Sequence, residues 1–257
     1  MRLADPWLRW FSPPSGTTPV VLCLAHAGGS ASFFQNWPGH ARELAVCAAQ
    51  LPGRENRFLE RPATSIDEVV GGLLGSMTWL GHRDYVVFGH SLGALVAFEL
   101  ARRLAAAGAP GPAALYVSGI NAPHLPLPPP VFDLTPVDLI EYLLSLGGLD
   151  QEVLDNPALL DLLLPTLRAD LQLFDGYRYQ EQAPLSCPIR GLHGTSDHSV
   201  SAEGVHAWAR HTTAGFAAHA FPGDHFFLVP QAEQVISWLD QDFSALRRDE
   251  GVIPRGH

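Results

Sequence analysis

Gly89-His90-Ser91-Leu92-Gly93 joins two short stretches of different character. Before it, Tyr85–Gly89 is a β-rich apolar run. After it, Leu92–Ala107 is rich in Ala and Leu at helical spacing and is closed by Gly108 and Pro110. G-x-S-x-G at a strand-to-helix junction reads as a sharp turn, with glycines removing the side chains that would collide there. Such a turn lifts the serine hydroxyl above the sheet and aims the next helix N-terminus at it. The five-residue pattern is weak alone; its place between strand and helix gives it weight.

Working outward, strands are expected at Val20–Ala25, Leu44–Leu51, Ala113–Ile120, Pro188–His193 and Phe216–Phe221. Helices are expected at Ile66–Leu80, with Ser65 as N-cap, at Ala202–Arg210 and at Gln231–Leu246. Fully apolar strands alternating with helices predict an α/β fold with a mostly parallel sheet covered on both faces. The alternation stops at Leu125–Pro130, which holds four prolines in six residues. Thr135-Pro136 then reads as an N-cap with Pro at N1. Leu139, Ile140, Leu143 and Leu144 follow at helical spacing, and Gly147-Gly148 ends the segment. A second helical stretch is expected from Asn156 to Phe174, with Pro165 as a possible kink. Residues 131–180 are thus read as a helical insertion, a lid, within one domain spanning 1–257. The tail Arg247–His257 is expected to fray.

Composition narrows the chemistry. The chain has 257 residues, 16 Lys+Arg against 26 Asp+Glu, and a net charge of −10. All the cations are Arg. The absence of Lys excludes a P-loop lysine, a pyridoxal Schiff base, lysine aldol chemistry and a Ser-x-x-Lys dyad. The acidic balance, with no basic run, argues against nucleic-acid binding. No apolar stretch reaches the roughly 18–20 residues of a membrane span. The N-terminus lacks an apolar signal core, so a cytoplasmic location is expected. Cys23, Cys47 and Cys187 lack metal spacing and read as free thiols.

A serine hydroxyl needs a base. Of 12 histidines, His225 is best placed, in Pro222-Gly223-Asp224-His225 after the last strand. Asp197, in Gly194-Thr195-Ser196-Asp197, follows the preceding strand and is the candidate acid; Asp224 is its rival, disfavoured because adjacent side chains in an extended loop diverge. The order Ser91, Asp197, His225 resembles that of serine α/β hydrolases. The Leu92 N–H is one expected oxyanion donor. His26-Ala27-Gly28-Gly29 follows the first clear strand, and the Ala27 N–H is the expected second. No metal is expected.

Further stretches resemble one family, the type II thioesterases that edit polyketide and non-ribosomal peptide synthases. They are Ala25-His26-Ala27-Gly28-Gly29-Ser30, Gln50-Leu51-Pro52-Gly53-Arg54-Glu55, Leu167-Arg168-Ala169-Asp170 with Tyr177-Arg178-Tyr179, Gly194–Val200 and Gly223-Asp224-His225-Phe226-Phe227. The chain departs from the family pattern at Leu92, Ala25 and Asp224, where Met, Pro and Gly are common. The resemblance implies an α/β-hydrolase fold with a helical lid. It implies hydrolysis of acyl groups from the phosphopantetheine arm of acyl or peptidyl carrier proteins. The enzyme itself would carry no cofactor and is expected to be a monomer. His26, Phe33 and Phe34 become candidate acyl contacts, with core packing as the competing reading for the phenylalanines. Arg54, Arg57 and Arg61 are either a carrier-docking patch or ordinary solvated surface. An oxyester hydrolase, a broad acyl-CoA thioesterase, or a non-catalytic hydrolase fold used for binding are the alternatives.

Overall fold

The computed structural model describes residues 5–12, 14–80, 83–148 and 156–251. Seven strands form one sheet: β1 (Leu8–Trp10), β2 (Val20–Leu24), β3 (Ala45–Ala49), β4 (Tyr85–His90), β5 (Leu115–Ser118), β6 (Ile189–Gly194) and β7 (Phe216–Phe221). Their order is β1-β3-β2-β4-β5-β6-β7; only β1 runs antiparallel to its neighbour. The α-helices among the described residues are α1 (Ile66–Ser76), α2 (Leu92–Ala106), α3 (Pro136–Ser145), α4 (Pro157–Gly176), α5 (Ala202–His206) and α6 (Ala232–Gly251).

The central strands are apolar throughout because both faces are covered. Val20, Leu22 and Leu24 of β2 join a cluster with α1 and α2, while Val21 and Cys23 join one with Val235, Ile236, Leu239 and Phe243 of α6. The two-residue period of a strand sorts them. Burying each large apolar side chain stabilises by about 1.5–3 kcal/mol. Caps set helix starts: Ser65 accepts from Glu68 N–H, Thr135 from Asp138 N–H and Asn156 from Leu159 N–H.

Several boundaries differ from expectation. β1 was not anticipated; three residues are too few for a period to show. The helix expected over Ala202–Arg210 ends at His206, and a 3₁₀ segment, Ala207–His211, continues it. That tighter turn seats Trp208 in the core, where its Nε1 donates to Ile120 O at 3.1 Å. Helix α4 runs on through Pro165. The expected frayed tail is helical to Gly251, and its last part, 252–257, lies outside the described residues. So does the middle of the expected lid, 149–155. Cys23 and Cys47 are buried free thiols on β2 and β3, and Cys187 is also free. No helix among the described residues is long and apolar enough to cross a membrane.

Candidate active site

Strand β4 ends at His90 and α2 starts at Leu92, so Ser91 alone makes the turn. Its φ of 54° and ψ of −120° are rare for a side-chain-bearing residue. Such backbone strain costs on the order of 1–3 kcal/mol and gathers at functional sites. The Ser91 N–H donates to Ser118 O on β5 at 2.8 Å, which helps hold it. A Cβ on Gly89 would stand 2.3 Å from Gly93 O, and one on Gly93 would stand 2.3 Å from Leu24 O. Any larger residue at either position would force β4, α2 and β2 apart.

The other two residues come from loops at the same carboxyl edge of the sheet. Backbone bonds tie those loops together: Thr195 N–H to Phe221 O and Ser196 N–H to Gly223 O, both 2.8 Å. His225 Nδ1 consequently sits 2.8 Å from Asp197 Oδ2, with side-chain exposures of only 6% and 1%. Ser199, which the sequence reading passed over, completes the arrangement. Its N–H and hydroxyl both donate to Asp197 Oδ1, at 2.9 and 2.6 Å, and its oxygen lies 3.0 Å from His225 Nδ1. With its proton committed to Asp197, the Ser199 oxygen accepts from Nδ1–H. That network assigns the ring proton to Nδ1 and leaves Nε2 basic. Burial pushes the Asp197 carboxyl up, but the bonds from His225 and Ser199 outweigh it and hold the carboxyl below its ordinary value. A local signal for Ser199 was present: Asp followed two residues later by Ser is a natural Asx turn.

Asp224 is turned elsewhere. Its Oδ1 accepts Phe226 N–H at 2.8 Å, and its Oδ2 lies where a Cβ on Gly147 would approach to 2.5 Å. It faces the segment after α3, while Asp197 faces the imidazole.

Ser91 and His225 line one cavity of about 70 Å³. Leu125 and Leu127 of the proline-rich segment form part of its wall, and Tyr142, Leu146 and Phe174 close it from the α3–α4 side. A larger groove of about 320 Å³, between α1, α2 and residues 172–182, contains neither Ser91 nor His225. Chemistry rather than size therefore picks the site. Among the described residues, no group of three or more His, Cys, Asp or Glu side chains is arranged to hold a metal ion.

The two expected oxyanion donors are near the turn. Leu92 is the first residue of α2, where a helix N–H has no acceptor within the helix. In the 26–29 turn, Gly28 N–H donates to Asp170 Oδ2 at 2.7 Å and Gly29 N–H to His26 O at 3.0 Å.

None of the three candidate acyl contacts lines the cavity that holds Ser91. Phe34 is fully buried in the core with Val21, Trp37 and Phe88, because a 3₁₀ turn, Ala31–Phe34, points it beneath the sheet. Phe33 packs against that core, and neither it nor His26 lines the Ser91 cavity. His26 instead stacks edge-on with Phe33 at 4.7 Å and Phe226 at 4.8 Å. Arg54 and Arg57 are not surface at all: both are 7% exposed. Arg57 donates to Gln50 O and pairs with Glu60; Arg54 pairs with Asp170. Only Arg61 is exposed, paired with Glu68.

A family model described as a thioesterase domain matches residues 19–243. The chain belongs to the thioesterase family. Gramicidin S biosynthesis protein GrsT of Aneurinibacillus migulanus is 36% identical to this thioesterase over 236 residues, covering 90% of this chain and 92% of GrsT. Thioesterase PikA5 of Streptomyces venezuelae is 35% identical over 231 residues, covering 89% and 82%. The solved structure of the type II thioesterase BorB, from the borrelidin biosynthetic cluster, matches with a TM-score of 0.84 at 34% identity, over 94% of this chain and 99% of BorB. The parallel sheet and its elbow are thus those of an α/β-hydrolase thioesterase, and the enzyme is a thioester hydrolase.

Proposed function

We propose that this thioesterase is a type II editing enzyme. It hydrolyses acyl groups from the phosphopantetheine arm of acyl or peptidyl carrier proteins, through an acyl-Ser91 intermediate. The observation that carries the reading is that His225, paired with Asp197 at 2.8 Å, lines a single cavity with Ser91. The relatives' names support the biosynthetic setting.

His225 Nε2 takes the Ser91 proton as Ser91 Oγ attacks the thioester carbonyl, and Asp197 holds the resulting imidazolium. The Ala27 and Leu92 N–H groups receive the oxyanion. The tetrahedral adduct collapses by breaking the C–S bond. The thiolate is a good leaving group and takes up the proton that His225 Nε2 drew from Ser91, so the free thiol departs and His225 returns to its neutral form. A water then gives its proton to His225, attacks the acyl-serine, and releases the acid with Ser91 restored. Serine, imidazole and carboxylate supply all of this chemistry, so the enzyme works without a metal or cofactor.

Residues 131–180 act as a lid on the acyl chamber, with Tyr142, Leu146 and Phe174 as its inner surface. The enzyme acts as a cytoplasmic monomer. Carriers are commonly acidic, and this chain has a net charge of −10, so docking relies on arginine or apolar contact. Mass-spectrometric deacylation of a panel of acyl-carrier proteins tests the reading, beside acyl-CoA and p-nitrophenyl esters. Acyl-carriers should be the best substrates. Oxyester rates far above carrier rates would overturn the assignment.

A further inference from the structure

The 26–29 turn is held by a charge pair from distant parts of the chain. Arg54 Nη1 and Nη2 each lie 2.7 Å from an oxygen of Asp170, a bidentate pair with side-chain exposures of 7% and 1%. Both partners also grip the turn. Arg54 Nη1 donates to Gly29 O at 2.8 Å, and Asp170 Oδ2 accepts Gly28 N–H at 2.7 Å. Thr166, one helical turn before Asp170 on α4, donates to Gly53 O at 2.9 Å, tying α4 to the Arg54 loop as well. Leu167 packs on the outer side of Gly28. With Gly28 and Gly29 N–H both used, the Ala27 N–H has no protein acceptor among the described residues.

We propose that Arg54 and Asp170 are positioning residues for the oxyanion hole: together they fix the plane of the turn that presents the Ala27 N–H, and Arg54 cancels the Asp170 charge beside it. A buried carboxylate next to an oxyanion site would oppose the negative charge that develops there. The guanidinium removes that opposition, and its fork fixes the carboxylate orientation as an ammonium could not. The Leu-Pro-Gly-Arg-Glu and Leu-Arg-Ala-Asp stretches thereby act on catalysis from behind the turn.

This inference rests on the reading of Ala27 as an oxyanion donor, and its sign makes it testable. Arg54→Gln leaves a net negative charge behind the turn; Asp170→Asn leaves a positive one and keeps an oxygen for Gly28 N–H. Turnover of an acyl-N-acetylcysteamine thioester is measured for each variant and for Arg54→Gln/Asp170→Asn, along with melting temperature and affinity for a trifluoromethyl ketone analogue. In Arg54→Gln, kcat and ketone affinity should each fall about 100-fold with KM within about 3-fold. Asp170→Asn should lose about 10-fold, and the double variant should recover at least about 10-fold over Arg54→Gln. If Arg54→Gln does not fold, Arg54→Lys serves, with a smaller fall in ketone affinity expected. A folded Arg54 variant with unchanged kcat, or a double variant no better than Arg54→Gln, overturns the inference. Ser91→Ala separates the two failures: full turnover there sinks the thioesterase assignment itself, and its loss alongside normal Arg54 variants sinks only the positioning role.

Discussion

Ser199 donates its hydroxyl to Asp197 Oδ1 at 2.6 Å while its oxygen stands 3.0 Å from His225 Nδ1. One side chain therefore braces both members of the acid–base pair. Ser199→Ala keeps the backbone N–H bond to Asp197 and removes the rest. A hydrogen bond to a charged group is worth about 1.5–3 kcal/mol, so kcat should fall about 10- to 100-fold with KM little changed. Steady-state kinetics on an acyl thioester checks this; a kcat within 2-fold, roughly the scatter expected for an unimportant surface change, would remove Ser199 from the network.

Asp197 bonds His225 from 28 residues away while Asp224 is its neighbour in the chain, and they predict opposite results. Asp197→Asn should lose on the order of 10⁴-fold in kcat, because the amide cannot hold the imidazole in the needed tautomer. Asp224→Asn keeps an oxygen for Phe226 N–H and should stay within about 3-fold of the parent enzyme. Ser91→Ala and His225→Ala should each abolish nearly all turnover, since such residues act as a unit. Thiol release from an acyl thioester reads all four variants. Exchange of the two aspartate outcomes would reassign the acid.

Sequence and structure agree best where a signal is local. Ser91 was legible because a strand, two glycines and a helix start fall within a few residues. The Thr135 and Asn156 caps were legible for the same reason. Strand β1 was not, since Leu8–Trp10 is short and pairs at the sheet edge. Arg54 was misread because its partner Asp170 is 116 residues away, and nothing near it says that its charge is buried. For Phe34 the sequence left acyl contact and core packing both open, because adjacency to a glycine turn does not reveal which way a 3₁₀ turn points.

The burial of Phe34 has a direct consequence. Its ring meets Phe33, Trp37 and Phe88 at 5.1, 4.9 and 6.0 Å. Phe34→Ala should open a core void and cost about 3–5 kcal/mol of stability. The folded fraction should keep its KM. Urea unfolding with kinetics on the same sample tests both halves; a raised KM at unchanged stability would restore Phe34 to the acyl site.

Acid should destabilise the fold through histidines that burial keeps neutral, His26 and His90 foremost. Burial, followed by the nearby His225, lowers His26 to about 3, and burial holds His90 well below its usual value. In the unfolded chain both titrate near ~6.5. Below that pH the unfolded state binds protons that the folded state refuses, so stability falls as pH drops from about 6.5 toward 3. Above about 7 these groups contribute no slope. Each contributes at most about 1.4 kcal/mol per pH unit. The urea midpoint should be lower at pH ~5.5 than at ~7.5, and His26→Phe, placed among Phe33 and Phe226, should flatten the difference. Equal midpoints in the parent enzyme would contradict the neutral, buried assignment.

The cavity beside Ser91 sets the last prediction. Tyr142 and Phe174 narrow it to about 70 Å³ from the side of α3 and α4. A pocket discriminates chain length by about 1–3 kcal/mol per methylene gained or refused. Truncating either ring should therefore admit longer acyl chains and weaken contact with short ones. Phe174→Ala and Tyr142→Ala are each expected to raise the long-to-short ratio of kcat/KM by about 10-fold or more. The chemical step should be little disturbed, because neither ring contacts the Asp197–His225 hydrogen bond. Competition between short and long acyl-carrier substrates, read by mass spectrometry, measures the ratio directly. An unchanged ratio in both variants would mean that the acyl chain leaves Ser91 by another route and that these two rings do not form its wall.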